Sequence, residues 1–164
     1  MFFEFVQIFA KKIGRDKNSK TKIDLRGEEV IRGVGIDMVD VNELKRLHEV
    51  FSENVFCRIF TPTEMERSRQ SSKPIEYLAE RFAVKEAVFK AVAHRTTKKS
   101  FDFRIVETLN RPDGYPYVNV NDRLQAVLDN ANVGELFISI TTQNQYITAI
   151  AIAEERMEVS ICQK

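Results

Sequence analysis

The chain has 164 residues, 43% of them hydrophobic and 30% charged, with a formal net charge of +1. That length suits one domain with a single core, and so even a charge balance gives no bulk attraction to nucleic acid or to an anionic membrane. Cys57 and Cys162 lack metal-like spacing, which argues against a disulfide-built fold and for a reducing compartment. No apolar run approaches the roughly 20 residues of a membrane span.

The first stretch stands apart from the rest. "MFFEFVQIFA" is apolar and "KKIGRDKNSKTK" basic. Residues 1–28 are therefore read as an N-terminal extension, 29–156 as the body and 157–164 as a C-terminal tail. Phe2, Phe5, Val6, Phe9 and Ile13 fall near one helical face, as expected of a helix packing on the body or on a partner, followed by a basic linker. A secretory signal carries its positive charge before the apolar region, and a mitochondrial one avoids acids. Here the order is reversed and Glu4 intrudes. The expected location is the cytoplasm, or an organelle stroma or matrix if the extension belongs to a targeting segment.

From Glu29 the pattern becomes regular. "VIRGVGIDMVDV" is a β-rich run in which Gly33 and Gly35 permit close backbone approach. "NELKRLHEVFSE" has a helical period with Leu44, Leu47 and Phe51 on its apolar face. "TPTEMERSRQSS" opens with Thr61 as N-cap, Pro62 at the first helical position and Glu64 three residues after the cap. A long helix over Tyr77–Arg95 follows. "FDFRIVETL" and "YPYVNV" read as strands separated by the turn "NRPDG". A short helix starts at the N-cap Asn121 and ends before Gly134, and "LFISIT" and "YITAIAIA" form a final hairpin around "TQNQ". Cys57 is expected as a small core residue, and His48 and His94 as solvated. Strands and helices mix without strict βαβ alternation, so the class is α+β, an antiparallel sheet with packed helices.

The long helix poses a problem. Leu78, Phe82, Phe89 and Val92 share one face with Lys85 in their midst, while Ala79, Ala83 and Ala87 lie opposite, with Glu86 and Lys90 among them. Asp37 similarly sits inside an apolar strand, where Asp is depleted. A buried carboxylate must be paired, hydrogen-bonded or bound to metal. Asp37 and Glu86 together make a hard oxygen site suited to Mg²⁺, with Lys90 one turn from Glu86 facing the same ligand and the alanines forming the wall of a phosphate-binding cleft. The competing reading is a plain Glu86–Lys90 pair one turn apart, with Asp37 capping something local.

"GIDMVDV", "FCRIFTPTE" and "YLAERFAVKEAVFKAV" resemble, in order and spacing, the holo-acyl-carrier-protein synthase family of 4′-phosphopantetheinyl transferases. The resemblance runs from about Ile31 to Glu154. It implies Mg²⁺-dependent transfer of 4′-phosphopantetheine from coenzyme A to a serine of apo acyl carrier protein, with release of adenosine 3′,5′-bisphosphate, in fatty acid synthesis. By the same match Asp37 and Glu86 hold the metal, with Asp37, Glu86 and Lys90 as the catalytic set. Arg81, Lys85 and Lys90 match cofactor-contacting positions, with Lys85 on the aromatic face of the wheel. Family members of this length commonly form homotrimers with each active site at a subunit boundary, and the apolar hairpin agrees with cover from a neighbour.

Three departures from the family pattern matter. Ala93, His94 and Arg95 replace a small-residue turn, which either narrows the cleft or lets Arg95 serve as a substitute phosphate contact. Thr142 stands where a His often follows the first hairpin strand, and is expected as a cofactor-binding residue supplied by the hairpin of the neighbouring chain. Glu43 replaces an Arg that faces the acidic carrier, leaving Lys45 and Arg46 for docking. Against the enzyme stand two alternatives, a weakly active or non-catalytic coenzyme A-binding relative and a purely structural assembly unit.

Overall fold

The computed structural model describes residues 30–93 and 102–156. The N-terminal extension, the tail, His94, Arg95 and Cys162 lie outside the described residues. Strand β1 (Ile31–Asp40) leads into helix α1 (Val41–Val50), a single turn α2 (Glu53–Phe56), helix α3 (Pro62–Gln70) and the long helix α4 (Pro74–Val92). A 3₁₀ turn (Phe103–Ile105), strands β2 (Glu107–Asn110) and β3 (Pro116–Asn119), helix α5 (Asp122–Asn130) and strands β4 (Val133–Gln143) and β5 (Tyr146–Glu155) complete it.

Local chemistry explains most boundaries. β1 stops at Asp40 because that carboxylate accepts the Asn42 amide at 2.8 Å and caps α1. α3 starts on the capping box expected at Thr61 and Glu64, with Pro62 at its first position. α4 begins earlier than expected, at Pro74, because a proline fits the first helical turn. Asn121 caps α5 through the amides of Arg123 and Leu124. That helix ends on Asn132 at φ 55°, so the left-handed turn falls to an asparagine and Gly134 already belongs to β4. "FDFRIVETL" is not a single strand. Asp102 accepts the Arg104 amide at 3.0 Å and winds a 3₁₀ turn, leaving only Glu107–Asn110 for the ladder.

β1, β5 and β4 form an antiparallel sheet in the order β1-β5-β4, and β2 pairs with β3 in a separate ribbon. The α+β class read from the sequence holds. α4 lies on the three-stranded sheet. Ala79, Ala83, Ala87 and Ala91 of the helix, and Ala149, Ala151 and Ala153 of β5, are all at 0–1% exposure. A Cβ placed on Gly35 would meet the Ala91 nitrogen at 2.7 Å and the Ala87 carbonyl carbon at 2.9 Å. The alanine strip is therefore the surface on which helix and sheet approach closely. This corrects its reading as the wall of a phosphate cleft.

The other face of the sheet is open. Val34, Ile36 and Met38 are 55%, 59% and 64% exposed, and Phe137 is 42% exposed. Ile36 pairs with Ile150, Val34 with Ile152, and Ile152 with Phe137, so these apolar residues lie side by side. Cys57 is exposed rather than in the core, beside the buried Phe56. The exposed His48 meets the Phe56 ring edge-on at 4.9 Å.

Candidate active site

Inward positions of β1 alternate as Gly35, Asp37 and Val39, all directed at α4. Gly35 lets the helix backbone close on the strand, which brings the next inward residue, Asp37, to the level of Glu86 and Lys90. Lys90 Nζ donates to Asp37 Oδ1 at 2.7 Å and to the Ile36 carbonyl at 3.1 Å. The Asp37 side chain is 15% exposed and that of Lys90 48%. Asp37 and Glu86 line one open cavity of about 320 Å³, together with Asp40, Glu43, Leu44, Leu47 and Phe82.

The electrostatics of this cavity are strongly one-sided. Burial holds the Glu86 carboxyl above its ordinary value, the Asp37 charge pushes in the same direction, and Lys90 opposes both. A half-buried carboxylate whose ionisation is opposed by burial and by a neighbouring acid marks a place where a divalent cation would be favoured. Among the described residues no group of three or more His, Cys, Asp or Glu side chains is arranged to hold a metal. Asp37 and Glu86 would supply two protein oxygens to a metal and leave its remaining positions to water and substrate, a donor set that would suit Mg²⁺. The competing reading fits less well, since the ion-pair partner of Lys90 is Asp37, which in turn meets a residue of α4 and not a group local to β1.

The other expected residues are placed elsewhere. Lys85 is a correction. Its ammonium is fully buried, 2.8 Å from Glu64 Oε2, and donates to the carbonyls of Phe103 and Val106. Burial lowers its pKa from the ordinary lysine value, with Glu64 opposing. It has no free donor and no open path to a bound cofactor. Arg81 is also buried, bonded to Glu80 at 3.1 Å and to Asn110, with its guanidinium 4.1 Å from the Tyr77 ring centroid. It faces the β2–β3 ribbon and not the Asp37–Glu86 cavity. Thr142 is exposed on β4, paired with Ile147 near the hairpin tip. Within one chain it does not line that cavity.

Sequence reasoning missed Glu64 as the partner of Lys85. Its capping-box role was legible, but nothing local shows which cation its carboxylate meets. Asp40 was missed too, although an Asp ahead of a helical period is an N-cap signal.

The fold belongs to a known class. A profile of the 4′-phosphopantetheinyl transferase superfamily matches residues 33–151, and the chain belongs to that superfamily. Within it the relatives are holo-[acyl-carrier-protein] synthases. The enzyme of that name from Chlamydia muridarum is 33% identical over 122 residues, covering 74% of this chain and 94% of its own. The crystal structure of the Neisseria meningitidis synthase superposes with a TM-score of 0.69 at 31% identity, covering 76% of this chain and 99% of that one. A Chronobacterium ammoniagenes synthase solved as a coenzyme A complex superposes with a TM-score of 0.63 at 27% identity, covering 76% and 98%.

Proposed function

We propose that this protein transfers 4′-phosphopantetheine from coenzyme A to a serine of an apo acyl carrier protein, with Mg²⁺ at Asp37 and Glu86. The observation that carries this reading is the meeting of Asp37, Glu86 and Lys90 across β1 and α4, on motifs that match a family of such transferases. The serine oxygen forms a bond to the β-phosphorus of coenzyme A. The bond from that phosphorus to the bridging oxygen breaks, and adenosine 3′,5′-bisphosphate leaves. Phosphoryl transfer of this kind depends chiefly on positioning and charge neutralisation. When bound, Mg²⁺ supplies positive charge against the phosphate oxygens. Lys90, half exposed, is free to turn from Asp37 to an entering phosphate and stabilise the leaving group. One of the carboxylates of the cavity, Glu86 among them, accepts the serine proton.

Lys45 and Arg46 on the exposed side of α1 offer the positive charge an acidic carrier would meet. The open apolar face around Val34, Ile36 and Met38 supports a homotrimer, since a closed ring covers such a face without leaving an edge for further association. In that assembly Thr142 would reach a neighbour's cavity. The test is direct. Incubation with coenzyme A, Mg²⁺ and apo carrier should add the prosthetic-group mass to the carrier, and no added mass with several carriers would refute the proposal.

One observation favours a second reading. Glu43 adds another carboxylate to a cavity meant to admit phosphates, which suits a coenzyme A-binding relative of low turnover. Calorimetry showing tight Mg²⁺-dependent binding of coenzyme A without transfer would select it.

A further inference from the structure

Four chain segments meet at the buried ion pair behind the cavity. Glu64 and Lys85 are both at 0% exposure. Lys85 uses its three donors on Glu64 Oε2 and on the carbonyls of Phe103 and Val106. Glu64 also accepts the Thr61 amide at 2.9 Å through Oε2 and the Thr108 amide at 3.0 Å through Oε1. The start of α3, the middle of α4, the 3₁₀ turn and β2 are thereby tied to one point.

A buried pair of this kind is a poor source of stability, because well-packed apolar side chains often hold as well or better. Its best-attested use is to specify register. α4 has need of that. Its sheet-facing strip is alanine, and it rests on Gly35 and on the alanines of β5. Such smooth surfaces lack the ridges and grooves that stop a helix from sliding or turning. Lys85 immediately precedes Glu86, so any rotation of α4 carries Glu86 past Asp37. A second link runs through Phe103, whose carbonyl Lys85 holds. Its ring centroid lies 6.1 Å from that of Phe82 and 6.3 Å from that of Phe89, and Phe82 lines the cavity.

We propose that Glu64 and Lys85 are positioning residues for the transfer reaction: the pair sets the rotation of α4 and the seat of Phe103, and so holds Glu86 opposite Asp37. The assignment rests on the transfer reading above, while the contacts it invokes exist in the ligand-free protein and are testable without turnover. The full chain carrying Glu64→Gln together with Lys85→Met loses both charges at similar volume, and the glutamine oxygen still accepts amide bonds.

The folded double variant should lose about tenfold or more in kcat, as a misplaced catalytic group does, with KM for the carrier unchanged. In the ligand-free state the nuclear Overhauser contacts between the Phe82 and Phe103 rings should weaken. A merely structural role would lower the melting temperature and leave both readouts of the folded fraction as in wild type. Wild-type kcat with intact ring contacts therefore overturns the proposal. If the double variant fails to fold, Glu64→Gln alone is measured by the same two readouts, and wild-type values of both overturn the proposal equally. If the wild-type protein transfers nothing, the functional reading falls, and the ring contacts alone decide the positioning role.

Discussion

Gly35→Ala tests the packing on which the site depends. The added methyl would lie 2.7 Å from the Ala91 nitrogen and 2.9 Å from the Ala87 carbonyl carbon, and closer still to that carbonyl's oxygen. Carbon contacts are favourable only from about 3.5 Å, so α4 must withdraw by roughly 1 Å. The obstructing atoms are helix backbone, which cannot swing aside as a side chain would. Overpacking costs about 1–3 kcal/mol, and a backbone clash belongs at the top of that range. For a chain of this size about 3 kcal/mol corresponds to a fall of roughly 6–12 °C in melting temperature. The same withdrawal separates Glu86 and Lys90 from Asp37, and a misplacement of about 1 Å can cost on the order of a hundredfold in rate. Urea denaturation, read at unchanged m, gives the first number, and transfer of prosthetic-group mass to the carrier gives the second. A variant within about 0.5 kcal/mol of wild type, the range of an ordinary surface substitution, with undiminished transfer would show that the helix does not depend on the missing side chain.

Other outcomes follow from the same geometry. Glu86→Gln should abolish transfer yet stabilise the ligand-free protein at neutral pH. Because the folded-state pKa of Glu86 is raised, native stability is fully present below its ordinary value of 4.5 and declines as pH rises through the folded value. Melting curves should therefore separate at pH 7 and converge near pH 4, and curves that coincide at pH 7 would exclude the cost of ionising Glu86 against burial and the Asp37 charge. Asp102 behaves in the opposite sense. Hydrogen bonding from Arg104, with Arg123 beside it, holds its pKa far below the ordinary 3.8, so its contribution is present above that pH and lost as pH falls below it. Asp102→Asn keeps the cap but removes the charge paired with Arg104 and Arg123, and should cost up to about 1 kcal/mol at pH 7, and progressively less in acid. If the protein forms the proposed trimer, Ile36→Glu, on the open sheet face, should leave the fold intact and give a monomer by light scattering. A wild-type mass of one chain at micromolar concentration would already refute the trimer.

Much of the local structure was legible because its causes are local. Thr61, Pro62 and Glu64 start α3, and Asn121 starts α5, through contacts within one turn of chain. Asp37, Glu86 and Lys90 declared themselves as charges where apolar or small residues surround them, since burying a charge is costly enough to need a reason. Their meeting depends on β1 and α4 approaching closely; Gly33 and Gly35 were readable as places of close approach, but not that Gly35 seats the backbone of α4. What stayed hidden depends on partners distant in sequence. Lys85 and Arg81 match cofactor-contacting positions of the family motif, yet one is taken by Glu64 and the other by Asn110. Cys57 looks apolar and is exposed. The alanine strip has one sequence and two readings, a cleft wall or a packing surface, and only the position of β5 decides between them. A wheel shows which residues share a face, whereas what covers that face is set by chain folded back from many residues away.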